Sequence, residues 1–318
     1  MARGSASLRQ LKIMKHYIAF IILLCGALSS GAFGQSTPAN AIVGLGYLYS
    51  PVTVAPGQLI TVFVAGSLQG GISAAVSGIP APVLQVRPAS GCPAAALCSS
   101  LTAITIQIPY DIEPACYFVG PVCDLVVALA QLVVTANGVA GAPIPLAPQA
   151  DRIHILTACD TLAPGGSGSG PYNGLPCAPL VTHADGSLVT VGRPAQASEE
   201  VVIYAVGLGL TTPSVPTGQP ASTAAPTDET FNLDFNFRPN ALATQPIQPS
   251  GLLQPILPRP VYAGLTPGFV GLYQINFVVA PPPVGTQACS GAVQSNLTVS
   301  VGGMASFDGA GICVAPTE

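Results

Sequence analysis

Short runs of apolar and β-branched residues recur along the chain, and Gly, Pro, Asn or Asp residues separate them. The clearest runs are 59–64, 103–108, 132–135, 201–204, 273–279 and 297–301. Each run has the length of one strand and has turn-forming residues close behind it, whereas no window shows a sustained helical period. The pattern therefore predicts an all-β chain of the sandwich or barrel type.

The same order of elements occurs twice along the sequence. Residues 58–66 align with 199–207 at an offset of 141, residues 103–108 with 274–279 at 171, and residues 132–138 with 297–303 at 165. A repeated element order favours two similar domains over one large one. We therefore predict two β-sandwich domains in tandem, residues 35–152 and 153–318.

The second domain carries an insertion. The offset grows by 30 residues between the first two matches, which places extra chain at 210–259. Within it, residues 231–237 alternate strictly, with Phe and Leu at odd positions and Asn232, Asp234 and Asn236 at even ones. Because successive side chains of a strand point to opposite faces, we expect a half-buried strand whose polar face looks outward.

The N-terminus has the organisation of a secretory signal peptide. Basic residues precede an apolar run at 18–28, and small residues follow it as far as Gly34. This order predicts cleavage after Gly34 and removal of residues 1–34, so that the protein is secreted or lies at the cell surface. The run is short for a retained membrane anchor, and Leu24 disfavours lipidation at Cys25. No later stretch competes as a transmembrane span.

Removal of residues 1–34 leaves an even number of cysteines, which in an exported chain indicates disulfides. They are Cys92, Cys98, Cys116, Cys123, Cys159, Cys177, Cys289 and Cys313. The sequence does not fix their connectivity, but each short interval is rich in turn residues, so pairing of sequence neighbours is favoured. A thiolate metal site is disfavoured because no C-x-x-C occurs.

Charge is scarce and its balance is acidic. Only 7% of residues are charged, and after residue 34 the chain has five arginines, no lysine and thirteen acidic residues, a formal charge of −8. Such a surface cannot neutralise phosphates, so nucleic acid is excluded as a partner class. A surface protein or a polysaccharide is the expected partner.

Five phrases of the second domain form a recognisable set. They lie at 183–187, 193–195, 202–209, 261–276 and 300–303. In this order they resemble the C-terminal domain of exported proteins of Acidobacteria such as Solibacter, which is similar in style to the IPT/TIG immunoglobulin-like modules. The resemblance covers roughly residues 153–314. It implies exported, immunoglobulin-like β-sandwiches, and it carries no catalytic residues over to this chain.

The second domain departs from the family pattern at one turn, and it carries a set of large aromatic side chains. Members carry Pro-Gly before the strand at 201–204, where this chain has Ala197-Ser198, while the first domain keeps Pro56-Gly57. We expect the turn itself to be retained. The large side chains Tyr262, Phe269 and Tyr273 are expected to fill the sandwich core around a glycine-rich turn.

The sequence offers little catalytic chemistry. After residue 34 the only histidines are His154, within a strand-like run, and His183, just before the turn Asp185-Gly186. Asp185 is expected to bond its own turn backbone instead of completing a triad. No G-x-S-x-G or dinucleotide fingerprint occurs. We therefore predict no enzymatic activity and no cofactor.

Two binding chemistries remain open. Asn232, Asp234 and Asn236 offer oxygen atoms on one face, but a single carboxylate makes them weak candidates for calcium. With no Trp, stacking on sugars is disfavoured, while a hydrogen-bonding groove for glycans remains. The pairs 199–200 and 228–229 are expected to be ordinary exposed acids.

The leading hypothesis is a structural or adhesive protein. The alternative is an extracellular ligand-binding module that takes a glycan or calcium at the inserted strand around Asp234.

Overall fold

The chain forms strands and no helix wherever its structure is described. The computed structural model describes residues 41–42, 51–66, 68, 70–89, 101–112, 117–119, 122–124, 129–160, 177–247 and 258–317. The all-β class predicted from the sequence is confirmed for these residues. The signal peptide, Cys92, Cys98, Cys116 and the side chain of Cys123 lie outside them.

The strands divide into a first half, up to residue 152, and a second half, from residue 153. The first half contains β1 (Ala41–Ile42), β2 (Val52–Val54), β3 (Leu59–Ala65), β4 (Ile72–Val76), β5 (Ile79–Ala81), β6 (Val83–Pro88), β7 (Leu101–Gln107), β8 (Tyr117–Val119), β9 (Val122–Asp124), β10 (Ala130–Ala136), β11 (Val139–Ala140) and β12 (Ile144–Pro148). The second half contains β13 (His154–Ile155), β14 (Val181–His183), β15 (Glu200–Val206), β16 (Ala225–Pro226), β17 (Asn232–Asn236), β18 (Tyr262–Leu265), β19 (Tyr273–Val278), β20 (Leu297–Gly302) and β21 (Phe307–Ile312).

Each half packs two sheets around one apolar core. In the first half the sheets are β1-β3-β7-β6 and β2-β12-β10-β4-β5, with β11 paired to β10. In the second half they are β13-β15-β19-β18-β16, with β14 also paired to β15, and β17-β20-β21. Both sheets of a half contribute fully buried side chains to its core, such as Ile60 and Leu146 in the first and Ile203 and Val299 in the second. The hairpin β8-β9 forms a separate two-stranded sheet.

The sequence repeat corresponds to a repeated strand pairing. Ile60 of β3 lies opposite Ile106 of β7. The residues at the sequence offsets of 141 and 171, Val201 and Phe277, lie opposite each other in β15 and β19. Since both offsets were derived from the sequence alone, the shared register is an independent observation.

The second sheet of each half repeats as well. In both halves a segment pairs in parallel with chain at the end of the second sheet, Val52 with Leu146 of β12 and Ala195 with Val314, which follows β21. The neighbours along the sheet also correspond, β12-β10-β4 in the first half and β21-β20-β17 in the second. The inserted strand β17 therefore occupies the sheet position that β4 holds in the first half.

A tight turn precedes the long strand in each half and keeps one conformation despite its different sequence. Gly57 has a φ of 73° and Ser198 a φ of 65°. The amide of Gly57 donates to the carbonyl of Ile108, and that of Ser198 donates to Val279 in the same way, at 3.0 and 2.8 Å. The departure from Pro-Gly thus leaves a serine in a left-handed conformation that glycine adopts at no steric cost.

The inserted strand alternates as predicted. Phe231 and Leu233 are buried in the core of the second half, and Phe235 packs against it. The expectation for the opposite face was wrong at one position, because Asn232 is only 5% exposed. At this end of the strand the Leu233 amide donates to the Pro258 carbonyl at 2.9 Å, so the chain that precedes β18 runs beside it.

The aromatic residues expected in the core divide into three environments. Tyr273 is fully buried, and its hydroxyl donates to the carbonyl of Gly209. Tyr262 is half-buried, and its hydroxyl donates to the Leu265 carbonyl at 3.0 Å. Phe269 is 57% exposed, so its assignment to the core was wrong. It lies in the turn between β18 and β19, beyond the edge of both sheets.

The two halves share buried side chains at a common joint. Leu156 and Val206 of the second half belong to the core of the first half, and Tyr110 of the first half packs against the core of the second. The fully buried Gln107 accepts a hydrogen bond from the Gly218 amide at 2.6 Å. All described residues belong to one compact unit, 40–318. No helix long and apolar enough to cross a membrane occurs among them.

Glycine is required at position 57 and not at 198, and this difference provides a matched test. A Cβ atom on Gly57 would lie 2.0 Å from a ring carbon of Tyr110. We expect Gly57→Ala to lower the free energy of unfolding by about 2 kcal/mol or more through overpacking and strain. Ser198→Gly should raise it by roughly 0.5–1 kcal/mol, because the left-handed strain is relieved.

Urea unfolding of both variants and the wild type measures these changes. A neutral Gly57→Ala variant would contradict the packing of Tyr110 on this turn.

Candidate functional site

The described residues form an open groove of about 750 Å³. It lies over the face of β20 and β21 that is turned away from the core. Four further stretches of chain form its walls, namely 177–179, 189–191, 240–243 and 290–295. The groove is therefore specific to the second half, because the insertion supplies one of its walls.

Asn240 holds two of these walls together. Its side-chain oxygen accepts hydrogen bonds from the amides of Gln294 and Ser295, at 2.8 and 3.3 Å. Its side-chain nitrogen donates to the carbonyl of Ala292 at 2.9 Å. Asn240 itself adopts a φ of 51°, a conformation that asparagine tolerates better than most residues. One side chain thus makes three of the hydrogen bonds that join these segments, beside the backbone bond from the Asn240 amide to the Ser295 carbonyl at 2.8 Å.

The two described disulfides reach the groove from opposite sides. Cys159 and Cys177 have Cα atoms 5.5 Å apart, and those of Cys289 and Cys313 are 5.9 Å apart. Both are pairs of sequence neighbours, as expected. Cys177 and Cys313 line the groove. In the chain-entropy view each bridge contributes on the order of 3 kcal/mol to stability, so both ends of the groove are anchored.

The described residues that line the groove are uncharged and include no aromatic ring. Its polar side chains are amides and hydroxyls, among them Asn240, Gln294 and Thr190. Two aliphatic side chains at the groove are well exposed, Leu242 at 84% and Val191 at 50%. Hydrogen-bonding groups together with exposed aliphatic surface suit a neutral ligand, because an ionic ligand would find no counter-charge here.

His183 lies at a second, shallower cavity of about 360 Å³. Its Nδ1 is 2.6 Å from Glu199 Oε1, and its Nε2 is 3.3 Å from the carbonyl of Arg193. Burial acts to raise the pKa of Glu199, but the Gln196 amide and His183 outweigh it and hold that pKa below its ordinary value. Both ring nitrogens of His183 therefore face acceptors of the protein itself.

His154 also has an acceptor close to each of its two ring nitrogens. Its Nε2 is 3.0 Å from Asp160 and its Nδ1 is 3.5 Å from Asp308. Burial alone would lower the pKa of His154, but the hydrogen bonds and charges of these two carboxylates raise it to about 9. The side chain is therefore an imidazolium at neutral pH, and it connects β13 with β21.

Asp185 makes the turn contacts predicted for it. Its Oδ1 accepts the Ser187 amide at 3.0 Å, and its Oδ2 pairs with Arg193 at 2.8 Å. The carboxylate partner of His183 is Glu199 instead. The expectation that Glu199 is an ordinary exposed acid was therefore wrong. Its side chain also accepts the Gln196 amide at 2.8 Å, and Gln58 performs the same capping role in the first half.

The weak calcium candidates do not form a set of charged ligands. Asn236 accepts a hydrogen bond from the Arg238 guanidinium at 3.0 Å, and Asp234 lies 3.5 Å from the hydroxyl of Thr244. A guanidinium beside Asn236 disfavours a second cation there. Across the described ranges, no three His, Cys, Asp or Glu side chains lie close enough to hold one metal ion.

A second acidic residue expected to be exposed is also in contact with other groups. Glu229 buries its Oε2 atom and lies beside Asp151, which is fully buried. No local sequence signal indicates this pair, because 78 residues separate its members.

Comparison of the chain with protein-family models, curated proteins and solved structures finds no match in any of the three.

The raised pKa of His154 makes stability depend on pH. The contribution of this ion cluster is complete below the ordinary histidine pKa of 6.5 and is lost as the pH rises through about 9. We expect the urea midpoint of the wild type to fall between pH 6 and pH 9.5, and His154→Ala to reduce that fall. Asp185→Asn, which removes an exposed acid that bonds no histidine, is the control. An unchanged fall in His154→Ala would contradict the assignment.

Proposed function

We propose that this protein is an exported structural or adhesive protein of the cell surface or its surroundings. It consists of a signal peptide at 1–34 and two immunoglobulin-like β-sandwiches in tandem, 35–152 and 153–318, and it has no catalytic activity. The observation that supports the proposal is that each half packs two sheets around one apolar core and that side chains of each half pack against the core of the other. Shared buried side chains resist movement of one half against the other, which suits a load-bearing or displaying role.

Repeated topology supports the tandem arrangement. Both halves pair their long strands in one register, and both place a parallel segment at the edge of the second sheet. Greek-key sandwiches of the immunoglobulin class have this two-sheet form. The resemblance of the phrases at 183–187 and 261–276 to the exported acidobacterial domain points in the same direction.

The histidine environments support a non-catalytic role. His154 and His183 each have acceptors of the protein at both ring nitrogens, and these contacts join strands and turns. A general base needs a free nitrogen within reach of the proton that it removes.

The disulfides and the acidic charge support an extracellular location. Cystines persist in oxidising compartments, and two described pairs have disulfide geometry. A net negative surface also keeps an exported protein soluble and away from anionic lipids.

A second candidate function, ligand binding, is favoured by the uncharged groove. We propose a neutral oligosaccharide as its occupant, held by amides and hydroxyls such as those of Asn240 and Gln294, with Leu242 against its apolar faces. This site lies beside the inserted strand, although it does not use Asp234. The lack of charged lining residues disfavours calcium.

Export is tested on the protein released by its native host. We expect a mature N-terminus at Gln35 and an intact mass lower by eight hydrogen atoms than that of the reduced chain, because all eight remaining cysteines form bridges. Retention of residues 1–34, or alkylation of thiols without prior reduction, would contradict the proposed export and oxidation.

The groove is tested by filling it. A Cβ atom on Gly291, which lines the groove, meets nothing within 4 Å, so Gly291→Trp can occupy the space without disturbing the walls. The matched control is Val284→Trp, since Val284 is 92% exposed and lies outside the groove. On an array of neutral glycans we expect binding by the wild type and the control, and at least about a tenfold loss for Gly291→Trp.

Binding that survives in Gly291→Trp would overturn the assignment of the groove. Hits confined to peptides on a parallel array would overturn the choice of ligand, and would leave the location of the site supported.

A further inference from the structure

The connection between the two halves is fastened by a buried carboxylate. Asp151, in the connection from β12 to β13, is fully buried. It accepts hydrogen bonds from the Ala305 amide at 2.7 Å and from the hydroxyl of Ser306. The Ser306 oxygen in turn accepts the amide of Ile153 at 2.8 Å. Residues 151–153 are thereby attached to the hairpin between β20 and β21.

A second carboxyl group reaches the same point from the insertion. Glu229, which follows β16, is hydrogen-bonded to the Asp151 side chain and to the backbone of Met304. The charged groups that act on Glu229 are Asp151 and Asp228, and both are acidic. Asp308, further along the hairpin, faces His154 and the Ile155 amide instead.

The site is tightly packed. A Cβ atom on Gly303 would lie 2.7 Å from the carboxyl carbon of Asp151 and 2.8 Å from the ring of Phe231. The Oε2 atom of Glu229 is buried as well. The two carboxyl groups thus pack against the core of the second half, where solvent screens the repulsion between two like charges only weakly.

Two ionised carboxylates in direct contact repel each other strongly in such a place, so one of them keeps a proton. Both named contacts of Asp151 on the hairpin side come from donors, so its oxygens act as acceptors there. The remaining contact requires a donor too, and a protonated Glu229 provides one through its O–H. The hydrogen-bond pattern therefore assigns the shared proton to Glu229.

We propose that neutral Glu229 acts as a proton-dependent latch, which fastens the insertion and the β20–β21 hairpin to the connection between the two halves and releases them when its proton is lost. The release needs no other reactant, because the proton passes to water or hydroxide and leaves a pair of carboxylates. Burial, and next the charge of Asp151, raise the pKa of Glu229 to about 8, which agrees with this geometry.

The direction of the pH effect follows from the sign of that change. An acid whose pKa is raised by folding contributes stability that is complete below its ordinary value of 4.5 and is lost as the pH rises through about 8. The latch is therefore closed in acidic and neutral surroundings and opens in mildly alkaline ones.

The first experiment observes Glu229 itself. The side-chain carboxyl carbon of the ¹³C-labelled wild-type protein is followed by NMR from pH 4 to pH 10. We expect the Glu229 resonance to titrate with a midpoint near pH 8. A midpoint between about 4 and 5, the range of an ordinary glutamate, would overturn the proposal. Because the signal belongs to one residue, the titration of His154 does not confuse it.

The second experiment uses variants. Glu229→Gln cannot ionise and retains an N–H donor toward Asp151, so its melting temperature should fall less between pH 6 and pH 9 than that of the wild type. The matched control is Asp228→Asn, which removes the exposed neighbouring acid and should leave the wild-type fall in place. Equal falls in Glu229→Gln and the wild type would overturn the latch.

A local readout separates the latch from general destabilisation. The amides of Ile153 and Ala305 should lose hydrogen-exchange protection, corrected for intrinsic rates, between pH 6 and pH 9 in the wild type and keep it in Glu229→Gln. Uniform loss across both halves would count against a local release. If Glu229→Gln does not fold, the carboxyl titration of the wild type still decides the question.

Discussion

Buried polar groups at the joint between the two halves restrict how the halves and the connection between them can be arranged. Gln107 is fully buried there and can remain so only because the Gly218 amide satisfies its oxygen. Apolar side chains cross the joint in both directions, as Tyr110 and Val206 do. Neither half can rotate without exposing these groups. For the same reason the short connection at 151–153 has to run through the protein interior, and its polar atoms need partners.

The turn before the long strand has a different capping side chain in each half. Gln58 and Glu199 occupy corresponding positions, and each side chain caps the turn before its long strand. In the first half an amide is sufficient. In the second half the carboxylate also bonds His183, so the same position joins a turn to the neighbouring strand β14. The same turn geometry therefore accommodates a capping amide in one half and, in the other, a capping carboxylate that also contacts a neighbouring strand.

Much of the fold was predictable because its determinants are local. The alternation at 231–237 places Phe231 and Leu233 in the core, and the offsets between the repeats reproduce the pairing of Val201 with Phe277. Phe269 was misplaced since its bulk indicated burial, whereas its turn lies beyond the sheets. Side-chain size is a weaker guide in turns than periodicity is in strands.

The candidate sites were much less predictable, because their residues meet only in the folded chain. The walls of the groove come from segments around residues 178, 241 and 292, which have no common motif. Glu229 sits in an acidic dipeptide typical of an exposed loop, and its partner Asp151 belongs to another part of the chain. Pairing of Glu199 with His183 was equally hidden, since Asp185 lies nearer to that histidine in sequence.

The bridge between Cys289 and Cys313 would have a consequence if the protein were pulled from its C-terminus. It closes 24 residues, roughly 80 Å of fully extended chain, into a covalent loop. This loop holds the whole of β20 and β21. If pulling on the C-terminus tore Val314 away from Ala195, the applied force would pass through the sulfur atoms and bypass these strands. Only a short segment of chain would then extend. The strands β20 and β21 would stay folded while the rest of the molecule unfolded under force.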